Sequence, residues 1–360
     1  MISNKEACCF KPKFYFFLAL IFGFITMAVL SNNLFIIICF MELAVVASAG
    51  LIGFKKIRGL GRPGLSLLVL NLVSFITLIL GVSMVFLAGK TAQLNLLENG
   101  ALSFAPAALI SLGVFISWMQ IPLFTRISEL TDASCYDNYS FGWAFIVFAW
   151  QFLLLKIFAA GFPPAQAFLD IIIVLLLVWI FIWSAAALSG RSARRILPCI
   201  LFGQAGYTML AIFSGEARFA MLYILAQVIA LTGIYLSAGL ALNKIKPQLK
   251  PLAKTGFLLC AFSAMGIPPL LGFWPKFMTV AVSLGKGQVL TEVIAVALII
   301  FALFYFIRLY NRIFSLHEAS DNCCFGGVIM PWVVFALGLF SLVLGLTIRF
   351  VYHLLLLPIR

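Results

Sequence analysis

Three hundred and sixty residues, 64% hydrophobic and 10% charged, with a mean hydropathy of +1.17, exclude an ordinary soluble domain. Such domains are about 45–50% apolar and about 25% charged, which is what a water-facing surface requires. The formal net charge of +13 would suit a nucleic-acid binder, but the cations sit in short loops between apolar runs. There they orient a membrane protein, so no nucleic acid is expected as a partner. The runs are apolar all round rather than alternating, which excludes a transmembrane barrel. The composition predicts an all-α polytopic membrane protein.

In chain order, runs long enough to cross a bilayer at 1.5 Å per residue predict about eleven spans. They cover 13–30, 34–54, 65–88, 102–125, 141–160, 168–188, 195–214, 218–242, 255–283, 288–314 and 328–357. The first is too long for a signal-peptide core and lacks a small-residue cleavage site, so it is expected to be retained. The second carries Glu42 in mid-run. The fourth contains Pro106 and Pro122 and is a candidate for discontinuity, and the fifth holds Lys156. Asp170 opens the sixth, where a helix dipole favours a carboxylate and capping is expected. The ninth is interrupted by Gly266, Pro268, Pro269, Gly272 and Pro275 and reads as a broken helix followed by Lys276. Such a break survives in lipid where neighbouring groups satisfy the freed backbone. The longest loops, near 126–140 and 315–327, are too short to fold alone. A single membrane domain over 1–360, with no soluble domain, is therefore expected.

The cations set an orientation. Lys5, Lys11, Lys13, Lys55, Lys56, Arg58, Arg62, Arg126, Arg191, Arg194, Arg195, Lys244, Lys246, Lys250, Lys254, Arg308 and Arg312 fall on the N-terminal side; Lys90, Arg218, Lys286, Arg349 and Arg360 fall opposite. The asymmetry predicts an N-terminus in the matrix or cytoplasm and a C-terminus outside. Trp118, Trp143, Trp274 and Trp332 suit an interfacial belt.

Eight cysteines form no CxxC and there are two histidines, so no zinc or iron–sulfur site is expected. No phosphate-cradling loop or nucleophile elbow is present, and stand-alone catalysis has no support. Chemistry rests on ionisable groups inside the spans, each costing about 2.5–3.5 kcal/mol in lipid on insertion scales. Glu42, Lys156 and Lys276 each have two readings: a proton or cation relay, or a side chain that snorkels or pairs structurally.

GIPPLLGFWPKF at 266–277 resembles the broken-helix motif of the antiporter-like membrane subunits of respiratory complex I, NADH:ubiquinone oxidoreductase. Its WPKF ending is most like the chain 2 form of the mitochondrial enzyme. SNNLFIIICFMELAVVASAGLI, 31–52, is similar to the family's early helix with a central glutamate, followed by Lys55 and Lys56. ARRILPCILFGQAGY, 193–207, resembles its basic pair and Gly-aromatic helix, and FALFYFIRLYNRIF, 301–314, its aromatic-rich helix with Arg308. The resemblance implies an antiporter-like fold lacking the opening three helices of the longer forms. It also implies a mitochondrial inner-membrane location and a part in proton translocation driven by NADH oxidation and quinone reduction. The chain itself binds no cofactor on this reading; NADH, FMN, iron–sulfur clusters and ubiquinone belong to other subunits. Other membrane-arm subunits are the implied partners, with phospholipid, cardiolipin included, at the matrix-side cations. Glu42 becomes the coupling carboxylate, Lys156 the central relay and Lys276 the terminal relay.

The chain departs from that pattern. In SWMQIPLFTR, Ser117 stands at a family lysine position and Phe124 at a histidine; after Trp150-Gln151 stands Phe152 in place of a lysine, with Lys156 one turn on. Glu42 is thus expected to have lost its usual partner and the proton path to be altered or silent. Two alternatives accompany this reading: a cation/proton antiporter subunit or independent secondary transporter, and a structural scaffold without proton transfer.

Overall fold

The computed structural model describes residues 11–53, 61–94, 104–119, 136–159, 166–213, 217–242, 247–285, 289–314 and 329–348. Lys55, Lys56, Pro122, Phe124 and the stretch 315–327 lie outside the described residues.

Twelve α-helices are present among the described residues: α1 Lys11–Leu30, α2 Leu34–Gly53, α3 Gly61–Gly89, α4 Phe104–Met119, α5 Tyr136–Ala159, α6 Gln166–Ser189, α7 Ala193–Phe213, α8 Ala217–Leu242, α9 Lys250–Met265, α10 Phe273–Gly285, α11 Val289–Phe314 and α12 Met330–Leu346. Helices apolar around their whole circumference belong in lipid or a large interior, and the all-α class read from composition is the one observed. Each predicted span has its helix, and the ninth is two, α9 and α10, parted at 266–272. Among the described residues five stretches, Asn71–Gly89, Leu169–Ser189, Arg195–Phe213, Ala217–Ala238 and Val293–Phe314, are long and apolar enough to cross a membrane by themselves. Asp170 lies in the second turn of α6 rather than at its cap, and is exposed.

The chain packs as two compact units, Met1–Ile172 and Ile173–Arg360. In the first, α1 packs on α2, α2 on α3, and α3 on α4. The α3–α4 pair closes through small residues: a Cβ on Gly81 would lie 2.8 Å from Ile110 Cγ1, and one on Gly113 2.6 Å from Leu78 Cγ. Backbones inside a bilayer approach this closely where glycine faces the partner. Ser74 then donates to the Gly113 carbonyl at 2.7 Å. The turn into α2 is fixed by an isolated antiparallel bridge, Asn33 to Gln93, with N–H···O bonds of 2.9 Å from Leu34 to Ala92 and 2.8 Å from Leu94 to Asn32. Asn33 Oδ1 caps α2 by accepting from the Phe35 amide at 3.0 Å.

In the second unit, α9 packs against α12 and α8. A Cβ on Gly256 would sit 2.8 Å from the Phe335 amide nitrogen, and one on Gly338 2.7 Å from Leu259 Cβ. These glycines let α12 lie close enough to reach the interrupted stretch. Pro198 sits inside α7 and removes an amide donor there, while the Trp179 indole donates to the Phe202 carbonyl at 3.0 Å and ties α6 to α7.

Gly256→Val forces the α9–α12 pair apart and costs about 1–3 kcal/mol. Gly23→Ala in α1, whose added Cβ meets nothing within 4 Å, costs nothing comparable. The thermal midpoint of the detergent-purified protein falls for the first and holds for the second; equal midpoints would contradict the close packing.

Candidate functional site

The break between α9 and α10 creates the first polar site. Gly266 ends α9 in the left-handed region at φ +85, a conformation that favours glycine. Its amide bonds back to Ser263 O at 3.0 Å and the Ile267 amide to Phe262 O at 3.0 Å, the two bonds of a Schellman end. That pattern consumes the carbonyls of Phe262 and Ser263 and leaves those of Ala264 and Met265 without a helical donor. Lys276 Nζ donates to both, at 2.7 Å and 3.1 Å. The ammonium lies in the first turn of α10, where the dipole would repel it, yet it caps the C-terminal end of α9, where the dipole favours it.

The rest of the break is held by α12. The Leu271 amide donates to Ser341 O at 3.1 Å, the Ser263 and Ser341 hydroxyls share a hydrogen bond of 2.7 Å, and the Trp274 indole donates to Gly345 O at 2.9 Å. Neighbouring groups thus satisfy the freed backbone, as lipid demands. The Trp274 ring is partly buried and packs beside Leu222, Ala226, Ile229 and Leu271.

Around the Lys276 ammonium the second unit builds a neutral cage. Gln204, fully buried, accepts from it through Oε1 at 3.4 Å and donates through Nε2 to the Tyr305 hydroxyl at 2.8 Å. Gln227 Nε2 donates to Gln204 O at 2.7 Å, and the Tyr223 hydroxyl to Gln204 Oε1 at 3.5 Å. The rings of Tyr207 and Tyr223 face Nζ at 4.8 Å and 5.9 Å. Among the described residues no carboxylate pairs with this cation, and the Tyr207 hydroxyl and Gln227 Oε1 are buried without partners. Lys276 is 6% exposed, and its amino group is surrounded by carbonyls, an amide and ring faces.

The second site lies in the first unit. The Glu42 carboxyl on α2 accepts from Asn71 Nδ2 on α3, and Asn71 Oδ1 accepts from the Ser117 hydroxyl on α4 at 3.5 Å. Asn71 is 5% exposed and Ser117 2%. No lysine contacts Glu42 among the described residues, in line with Ser117 at the position where the resemblance implies one; an asparagine amide bonds its Oε2, and its Oε1 is buried with no partner among the described residues.

Lys156, in the last turn of α5, donates to Val29 O at 2.9 Å and Ser31 O at 2.7 Å, the carbonyls at the end of α1. Trp150 Nε1 and both amide atoms of Gln151 are buried and without partners among the described residues. No group of three or more potential metal-ligating side chains occurs among the described residues.

Sequence reading therefore reached Glu42, Lys156 and Lys276 but missed Asn71, Gln204, Tyr223, Gln227 and Tyr305. The available signal was a polar side chain inside an apolar run, as Asn71 is in LVLNLVSF and Gln204 in LFGQAG.

A chain of apolar helices with one broken at a buried, carbonyl-held lysine defines an antiporter-like membrane protein. The chain belongs to the NADH:quinone oxidoreductase/Mrp antiporter transmembrane family, whose model matches residues 31–302. It is 25% identical over 305 residues to NADH-quinone oxidoreductase subunit N of Phocaeicola vulgatus, covering 76% of this chain and 62% of that protein. It is 26% identical over 280 residues to the chloroplastic NAD(P)H-quinone oxidoreductase subunit 5 of Chloranthus spicatus, covering 69% of this chain and 38% of that one. The chain thus spans less than two thirds of the length of these relatives. Its fold matches a chain of respiratory complex I from Thermus thermophilus with TM-score 0.74 at 18% identity, over 94% of this chain and 79% of that one. It matches a chain of the Mrp complex from Dietzia with TM-score 0.73 at 17% identity, over 93% and 75%.

Gly266→Ala must hold a Cβ in the left-handed region, at about 1–2 kcal/mol, and places it 2.8 Å from Lys276 Cδ. The thermal midpoint of the purified protein drops. A midpoint unchanged in Gly266→Ala would contradict the geometry of the break.

Proposed function

We propose that this chain is a membrane-arm subunit of an NADH:quinone oxidoreductase, contributing to proton translocation coupled to quinone reduction and passing no electrons itself. The observation that carries the reading is the Lys276 ammonium, buried beside the helix break with no carboxylate partner among the described residues and held by the Ala264 and Met265 carbonyls. A cation so placed responds to any charge that approaches it, since attraction and repulsion are strong where water is excluded. The family membership and the subunit N relative support the same reading. Lys276 and Glu42 are the proton-relay groups in this account.

For Lys156 the geometry favours a different duty. Its two bonds close the C-terminal end of α1, which is capping. Lys156→Arg, permanently charged, preserves activity if the group is a cap; Lys156→Met weakens the fold. A Lys156→Arg variant that assembles normally yet translocates fewer protons would assign the residue to the relay instead.

The finer placement is in the mitochondrial inner membrane as a chain 2 subunit, N-terminus in the matrix. It rests on the WPKF stretch and on the cations of the N-terminal side. Its partners are neighbouring membrane-arm subunits and phospholipid, cardiolipin among them, at those cations. NADH, FMN, iron–sulfur clusters and quinone are held by the other subunits.

A second reading, a subunit of a cation/proton antiporter, is favoured by the equally close fold of the Mrp chain. A third, a scaffold without proton transfer, is favoured by Ser117 and Phe152 at the lysine positions. A native gel of mildly solubilised membrane, stained for NADH dehydrogenase activity and probed for this polypeptide, separates the first two. Co-migration with a large NADH-oxidising complex is expected. Migration with an assembly that neither oxidises NADH nor loses activity on depletion of the chain would overturn the reading in favour of the antiporter.

A further inference from the structure

We infer that Asn71 is the positioning residue for the Glu42 carboxyl, supplying with a neutral amide the contact that a cation would otherwise make. The inference rests on the relay role proposed for Glu42.

Three observations converge. First, the Asn71 amide is used at both ends, donating through Nδ2 to Glu42 Oε2 and accepting through Oδ1 from the Ser117 hydroxyl at 3.5 Å. The serine, which has a hydrogen to give the amide oxygen, orients the amide so that its NH2 end meets the carboxyl. Second, Asn71 has little freedom to leave. It is 5% exposed and sits on the α3 face that Gly81, Gly113 and the Ser74 bond press against α4. Third, the chain places no cation against Glu42 among the described residues. Of its intramembrane lysines, Lys156 is committed to the end of α1 and Lys276 to the end of α9.

The chemistry follows from the amide. Asparagine neither gains nor gives a proton near neutral pH, so Asn71 holds the carboxyl without relaying for it. Oε2 is occupied by the amide and Oε1 is left without a partner among the described residues. Asn71 thereby fixes which carboxyl oxygen faces the exchanging proton, and acts through Glu42 rather than on the proton.

The test compares Glu42→Gln, Asn71→Leu, the double variant and Asn71→Leu/Ser117→Lys in the assembled complex, reading protons translocated per electron together with the NADH:quinone reductase rate and the complex's thermal midpoint. Asn71→Leu is expected to lower proton stoichiometry as far as Glu42→Gln does, with no further loss in the double variant. Lysine at 117, on the α4 side that already faces position 71, offers an ammonium near the carboxyl in place of the amide, so the Asn71→Leu/Ser117→Lys protein is expected to recover stoichiometry. A residue that merely fills space would lower the thermal midpoint without being rescued by a charge on another helix. If Glu42→Gln lowers stoichiometry and Asn71→Leu in an assembled complex does not, the inference is overturned and the relay reading stands. If Glu42→Gln itself leaves stoichiometry unchanged, the relay reading of Glu42 fails and takes the inference with it. If Asn71→Leu does not assemble, Asn71→Ala, which removes the amide, replaces it; stoichiometry equal to wild type there would overturn the positioning role.

Discussion

A buried ammonium needs acceptors, and the end of α9 leaves two carbonyls that its own helix cannot use. The Schellman end at Gly266 spends the amides of 266 and 267 on Phe262 and Ser263, so Ala264 and Met265 turn their oxygens to Lys276. Two carbonyls, Gln204 Oε1 and the Tyr207 ring face supply those contacts, with no ion pair among the described residues. The glycines of the α9–α12 contact serve the same end, because Ser341 and Gly345 must reach the break to satisfy its remaining groups.

The two polar sites use opposite chemistry. Lys276 is a cation held by neutral oxygens; Glu42 is an acid held by a neutral amide. Neither relies on a salt bridge among the described residues. An ion pair inside a membrane protein lowers the cost of both charges and also pins them. Neutral partners leave the charge state of each group open to what approaches it, the property a proton-handling group requires. Lys156 closes a helix end as Lys276 does, but among the described residues no cage of amide and tyrosine rings surrounds it.

Much of the helical layout was legible because lipid imposes a simple rule, and apolar runs and their breakers are local features. Gly266 through Pro275 announced the break for the same reason. The charged members of the sites were legible because charge inside an apolar run is rare. Their partners were not. Asn71, 29 residues from Glu42, and Gln204, 72 residues from Lys276, carry no charge, and nothing local tells an asparagine that holds a carboxyl from one that packs. Ser117 could be read from the chain at a position where the resemblance implies a lysine, but the amide that contacts Glu42 depends on how Gly81 and Gly113 bring α3 against α4. The acceptor of the Trp274 indole, the Gly345 carbonyl 71 residues away, was equally out of local reach.

The central claim is that the carbonyl-held Lys276 ammonium handles protons and does not simply stabilise the break. The most direct measurement is proton uptake per electron by the complex reconstituted in sealed vesicles, compared between wild type and Lys276→Met at matched assembly and quinone reductase rate. The account predicts fewer protons per electron in Lys276→Met while the complex stays assembled. An unchanged ratio in an assembled Lys276→Met complex would contradict it and leave the lysine a cap for α9.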